Sequence, residues 1–227
     1  VTAVLALVLF CATASAQVTT PARPGLLVYN DGEVRIDGKP VADMARRPQR
    51  LEAGQMLQTS DGRVELALQP DNYLRVAGGT SVEMLADDRS LVRLRVLGET
   101  ALEATAAASV ELACGAMVVR VERPAMVRLN CGTGRHTLRV YRGRVQVRGG
   151  GATTGVRAGR QLSLATGARP VRIARADFDG FDRWNAERSR LLASKRPRRG
   201  DGLVTDPRKP ITDPDEIERI LFGRREP

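Results

Sequence analysis

His136 is the only histidine in the chain, and Cys11, Cys114 and Cys131 are its only cysteines. Imidazole-based catalysis therefore has one candidate base, placed between two strand-like stretches where a solvated side chain is the ordinary role. There is no second histidine for a zinc site, and neither Cys114 nor Cys131 has a cysteine at ligand spacing. A serine nucleophile would need a Gly-x-Ser-x-Gly elbow, which the sequence lacks. Gly149-Gly150-Gly151 is not followed by the Lys-Ser/Thr of a phosphate loop and reads as a hairpin tip. Asp87-Asp88 and Asp213-Pro214-Asp215-Glu216 are too short for a calcium loop. The expectation is a non-enzymatic protein with no catalytic residue, no metal and no cofactor.

The elements that would hold these residues alternate with a period of two. In Thr137-Leu-Arg-Val-Tyr-Arg-Gly-Arg-Val-Gln-Val147, Leu138 and Val140 alternate with arginine and threonine, and Val145 and Val147 resume the pattern after Gly143. Successive side chains of a strand point to opposite faces, so one face is buried and the other wetted. The same pattern recurs from Leu51 to Leu164, with turn signals roughly every 8 to 12 residues, which predicts an all-β sandwich, barrel or roll. Asn30-Asp-Gly32 predicts a tight hairpin between Leu26–Tyr29 and Glu33–Asp37. The alanine-rich stretch from 101 to 108 suits a strand slightly better than a helical turn. Gly32 to Gly38, followed by Ala53-Gly54, echoes Gly143 to Gly149, followed by Ala158-Gly159, as though first and last strands held equivalent places.

Cys114 and Cys131 fall in phase with the buried positions Val110-Leu112 and Val127-Leu129. With a strand between them, successive hairpins would bring both to one end of a sheet. Either a disulfide between Cys114 and Cys131 or two buried free thiols satisfies this phase.

After Ala174 the period becomes helical. Phe181, Trp184 and Leu191 fall near one face of an amphipathic helix with Asp177 or Asp179 as N-cap. That helix is expected to dock on its own domain, with Phe181, Trp184, Arg188 and Leu191 as its docking or partner face. Asp213-Pro214 opens a short terminal helix that Gly223 stops.

Val4 to Ala12 is an apolar run ending in Ala14-Ser15-Ala16, the form of an export signal cleaved before Gln17. It is shorter than the about 20 residues of a membrane span, and no other stretch is a candidate. The organisation predicted is a signal peptide over 1–16, a leader over 17–25 and a β domain over 26–174. A packed helix over 177–195 follows, then a linker and short helix over 196–227.

Hydrophobic residues form 42% of the 227-residue chain and charged residues 27%, a globular balance, and at 4% aromatics the core must be aliphatic. The net charge of +10 comes from arginine, since the only lysines are Lys39, Lys195 and Lys209. Arginine at alternate positions is ordinary filling for the wet faces of strands. Without clustered exposed aromatics it makes no nucleic-acid platform.

Ala53-Gly-Gln-Met-Leu-Gln-Thr-Ser-Asp-Gly-Arg-Val-Glu-Leu-Ala-Leu68, Tyr73-Leu-Arg-Val76, Leu138 to Val147 and Val156-Arg-Ala-Gly-Arg-Gln-Leu162 together resemble the FecR-type domain. Phe181-Asp-Arg-Trp-Asn-Ala-Glu-Arg188 resembles the segment that follows this domain in exported bacterial, notably acidobacterial, proteins. The resemblance spans roughly Leu26 to Ala193. It implies an extracytoplasmic β-roll or solenoid-like two-layer stack. In iron-uptake regulators this domain is the periplasmic signalling part that contacts a transport receptor, and it carries no catalytic residues. Unlike those regulators, the chain is expected to carry no cytoplasmic sigma-binding region and no transmembrane helix. The expected function is therefore an envelope binding or signalling module with an envelope protein as partner. The alternative is a structural or scavenging protein that holds an anionic envelope polymer.

Overall fold

A computed structural model describes residues 24–41, 47–69, 71–88, 90–105, 109–122, 124–134, 136–165, 168–194 and 211–223. The expected signal peptide, the leader up to residue 23 and the linker over 196–210 lie outside the described residues.

The strands are β1 (Leu26–Asp31), β2 (Val34–Ile36), β3 (Lys39–Pro40), β4 (Met56–Thr59), β5 (Arg63–Gln69), β6 (Asn72–Val76), β7 (Ser81–Asp87), β8 (Val92–Leu97) and β9 (Glu99–Ala104). They continue as β10 (Val110–Cys114), β11 (Met117–Val121), β12 (Ala125–Asn130), β13 (Thr137–Arg142), β14 (Arg144–Gly149), β15 (Ala152–Arg157), β16 (Arg160–Ser163) and β17 (Val171–Arg172). A 3-10 turn at Arg175–Asp177 leads to α1 (Gly180–Ser194), and α2 (Pro214–Phe222) follows.

The strands form two layers. One is an eight-stranded sheet ordered β1-β5-β6-β9-β12-β13-β16-β17, and the other a nine-stranded sheet ordered β15-β14-β11-β10-β8-β7-β4-β2-β3. Both orders follow the sequence except that β3 lies outside β2, so the chain alternates between layers and, from β4 onward, adds strands always in the same direction. Most excursions into a layer are hairpins. β9 is a single strand between β8 and β10, which makes β8 and β10 parallel partners. The β8–β9 corner needs Gly98, at φ 121, because a Cβ there would lie 2.5 Å from the Thr80 hydroxyl.

The inward residues of both sheets make one aliphatic core, with Leu66, Leu74, Leu94, Leu102, Leu112 and Val127 fully buried. An all-β, two-layer stack followed by helices is thus the observed fold, as the two-residue period requires.

Two local expectations change. Asn30-Asp-Gly32 closes no hairpin: β1 pairs with β5 and β2 with β4, so this turn carries the chain between layers. The echo between the Gly32 and Gly143 stretches holds for β2 and β14, each second from an edge of the nine-stranded sheet. It ends there, because β4 stays in that sheet while β16 joins the other. The 101–108 stretch begins as strand, with Ala101 to Ala104 lying in β9.

β10 and β11 are a hairpin, but β12 belongs to the other layer. Cys114 and Cys131 are joined by a disulfide, with Cα atoms 5.6 Å apart, and this bond staples one sheet to the other.

Candidate functional site

Ionisable side chains concentrate on the outer face of the eight-stranded sheet, beneath α1. Tyr29, Glu65, Arg75, Ala101, Arg128 and Arg139 are successive register partners across β1, β5, β6, β9, β12 and β13. Their phase is opposite to that of the core leucines and valines, so the row faces outward. Its middle is nonetheless dry: Arg75 and Glu65 are fully buried and Arg128 is 5% exposed, while Tyr29 and Arg139 at its ends are half-buried.

Arg75 donates from Nε to Glu65 (2.8 Å), from Nη2 to Glu103 (2.7 Å) and from Nη1 to the Ser189 hydroxyl (3.1 Å). The Ser189 hydroxyl in turn donates a hydrogen bond to Glu103 (2.6 Å). Arg188 donates to the remaining oxygen of Glu65 (2.7 Å), and Arg142 to that of Glu103 (3.1 Å). Burial alone would raise the Glu103 carboxyl, but the Arg75 charge and the Ser189 and Arg75 hydrogen bonds outweigh it and hold it below the ordinary value.

The second half centres on Arg128, which donates to Glu99 (2.8 Å), to both oxygens of Asp179 (2.9 and 2.6 Å) and to Asp182 (2.6 Å). The Tyr141 hydroxyl donates to Asp182, and Arg139 donates to the backbone carbonyl of Asp177 (2.8 Å). Desolvation pulls the Arg128 guanidinium down, but its carboxylates overcome this and raise it. Burial raises Asp182 despite the charge of Arg128, whereas hydrogen bonds from Arg128 keep Asp179 below its usual value against its own desolvation. Burial and the Asp182 charge push the Tyr141 phenol up, so it remains a donor.

Asp179 and Asp182 are also the cap of α1. Asp179 accepts from the amides of Phe181 (2.9 Å) and Asp182 (3.2 Å), and Asp182 accepts from the amide of Asp179 (3.2 Å). This is a reciprocal capping box, so Arg128 grips the helix by its N-terminus.

The helix face seated deepest is therefore largely polar, with Asp182, Asn185 and Ser189 buried alongside Ala186 and Trp184. Phe181, Arg188 and Leu191 are half-buried. Trp184 stacks on Phe181 (centroids 5.7 Å), meets Tyr29 (6.0 Å) and has the Arg63 guanidinium 5.0 Å from its ring. Arg188 lies 4.4 Å over Tyr29. The Phe-Asp-x-Trp-x-x-x-Arg spacing thus works as a docking pattern: Asp182 to Arg128 and Tyr141, Trp184 to Tyr29, Arg188 to Glu65.

Beside the ionic row lies an apolar patch in which Met126 and Tyr141 of the sheet and Ala186 of α1 join Ile211, Ile217 and Leu221. α2 is built as its sequence suggests, with Asp213 accepting from the Asp215 amide (2.9 Å) and Gly223 left-handed at its end.

The arginines of the nine-stranded sheet's outer face differ from these, being solvent-exposed but mostly neutralised. Arg93 pairs with Glu111, Arg95 with Glu83, Arg35 with Glu33, and Arg120 with Glu122. His136 lies near Gly115, and its backbone carbonyl accepts from Leu164 (2.8 Å). Among the described residues no group of three or more His, Cys, Asp or Glu side chains could hold a metal ion. Nor, among the described residues, is any helix long and apolar enough to cross a membrane.

No protein-family model matches the chain, and no curated protein matches it. Among solved structures, two crystal structures of a candidate anti-sigma factor from Parabacteroides distasonis are similar, with TM-scores of 0.45 and identities of 12% and 11%. Each similarity covers 58% of this chain and 63% or 62% of the other. Similarity of this extent assigns no function.

Proposed function

We propose that the chain is a non-enzymatic, extracytoplasmic binding and signalling module of the FecR type, contacting a protein partner of the bacterial envelope through its sheet surfaces. The observation that carries this reading is the asymmetry of the two layers. One outer face is sealed by α1 and α2 over a saturated ionic network, whereas the other presents Arg35, Gln58, Arg93, Arg95, Gln146 and Arg148 to solvent. The inter-sheet disulfide suits an oxidising compartment. The buried carboxylates are each engaged by arginine, a distribution suited to holding a helix rather than to moving protons.

The rival reading, capture of an anionic polymer over the whole wet face, is disfavoured by the glutamates that already neutralise most of its arginines. Cross-linking the disulfide-bonded protein in envelope extract across a salt series tests this. Capture of a defined protein that persists at moderate ionic strength is expected. Capture of polymer alone, lost steeply with salt, overturns it.

A further inference from the structure

We propose that β15 is the molecule's docking edge, and that an extended acidic segment of a protein partner adds to it as a further strand with its carboxylates seated among Arg144, Arg157 and Arg160. This rests on the partner-binding reading above and names the chemistry of the partner.

The first observation concerns the backbone. Of the four sheet edges, β3 and β17 are two residues long, and β3 ends in Pro40. The edge of β1 is covered: Leu27 donates to Gln49 (3.0 Å) and Leu51 to Gly25 (2.9 Å). β15 is six residues long and mostly exposed. It pairs with β14 through the two-residue turn Gly150-Gly151, both at positive φ. In such a hairpin the turn-flanking pair, Gly149 and Ala152, is hydrogen-bonded, and bonded pairs then alternate with non-bonded ones. The amides and carbonyls of Thr153, Gly155 and Arg157 therefore point away from β14, and no backbone hydrogen bond from another described segment reaches them.

The second observation is the charge. Arg144 and Arg157 are directly opposed register partners, as are Arg160 and Arg172, and like charges in that relation repel. Among the described residues none of the four has a carboxylate within ion-pair distance, unlike Arg35, Arg93, Arg95 and Arg120. Arg144, Arg157 and Arg160 wall a groove of about 370 Å³ with Gly155 and Pro170. Gly155 leaves it open, since a Cβ there would meet nothing within 4 Å. On a strand added to β15, a glutamate beside Gly155 would enter this groove between the guanidiniums while the two backbones exchange hydrogen bonds.

The test is fluorescence anisotropy on the disulfide-bonded full chain with a labelled peptide of alternating glutamate and valine. A lysine–valine version, an alternately N-methylated version and inorganic polyphosphate serve as comparison probes. The glutamate peptide is expected to bind, with at least tenfold weaker binding for R144Q/R157Q, for Gly155→Pro and for the N-methylated peptide. Gly155→Pro deletes one outward N–H and no bond to β14, and R144Q/R157Q relieves repulsion, so both variants should fold; thermal unfolding verifies this. Equal binding by the N-methylated peptide or by Gly155→Pro overturns strand addition. Binding of polyphosphate but not of the glutamate peptide overturns the protein partner. If the variants bind the peptide like the parent while envelope capture persists, the edge assignment fails and the module reading stands. Loss of capture in the parent protein is a failure of that reading alone.

Discussion

Arg75 and Arg128 sit where water is absent because their charges are matched. Across the face below α1, Arg75, Arg128, Arg139, Arg142 and Arg188 are set against Glu65, Glu99, Glu103, Asp179 and Asp182, an even balance of charge. Removing one member leaves another buried and uncompensated. Arg75→Ala is expected to cost about 3–5 kcal/mol in urea unfolding, and Tyr141→Phe, which strips one donor from Asp182, about 1–3 kcal/mol. Glu103 and Asp179 have lowered carboxyls, so the stability they contribute is complete above the ordinary values of 4.5 and 3.8 and is lost as pH falls through their folded values. Asp182, with a raised value, acts in the opposite sense and offsets part of that loss. Urea midpoints should therefore drop below about pH 4.5, and Glu103→Gln should flatten the decline. None of this was visible strand by strand, because the period-two pattern shows that Arg75 and Arg128 face outward but not that something covers them. The signal that was available is collective: acids and arginines share one phase on neighbouring strands, and a helix rich in Asp, Ser and Arg follows them.

At the scale of elements, α1 is held by its cap and by Trp184, while α2 is held by Ile217 and Leu221 in the apolar patch. Trp184→Ala should cost about 3–5 kcal/mol and Ile217→Ala about 2–5 kcal/mol. In the second case hydrogen exchange should rise first in α2, since a helix this short has little stability of its own. Both helices and most strands were legible from period, capping residues and turns. β15 was not: Ala152-Thr-Thr-Gly-Val-Arg157 has one deeply buried residue, Val156, so its alternation has almost no amplitude. Edge strands are poorly legible for this reason, since half of their backbone and most of their side chains answer to solvent. The hairpin expected at Asn30-Asp-Gly32 failed differently. The residues do specify a tight turn, but its destination is set by which sheet buries Val34, a tertiary decision that no dipeptide encodes.

At the scale of the whole molecule, the two layers share one core and one covalent link. Reducing the Cys114–Cys131 bond frees a loop with a sequence separation of 17 and is expected to lower stability by about 3 kcal/mol, read from unfolding curves with and without reductant. The cysteine phase made burial legible, while the inter-sheet path of the bond depended on β12 crossing layers.

The strand order has a further meaning for how the molecule comes into being. Because each strand joins a layer beside one already laid down, and from β4 onward always on the same side, a chain emerging from its N-terminus can build at one growing edge per layer, with no need to hold a place for residues still to come. α1 and α2 arrive last, and most of the surface that waits for α1 is charged rather than greasy. The half-built intermediate would thus be hydrated instead of sticky, a safeguard against clumping during vectorial assembly.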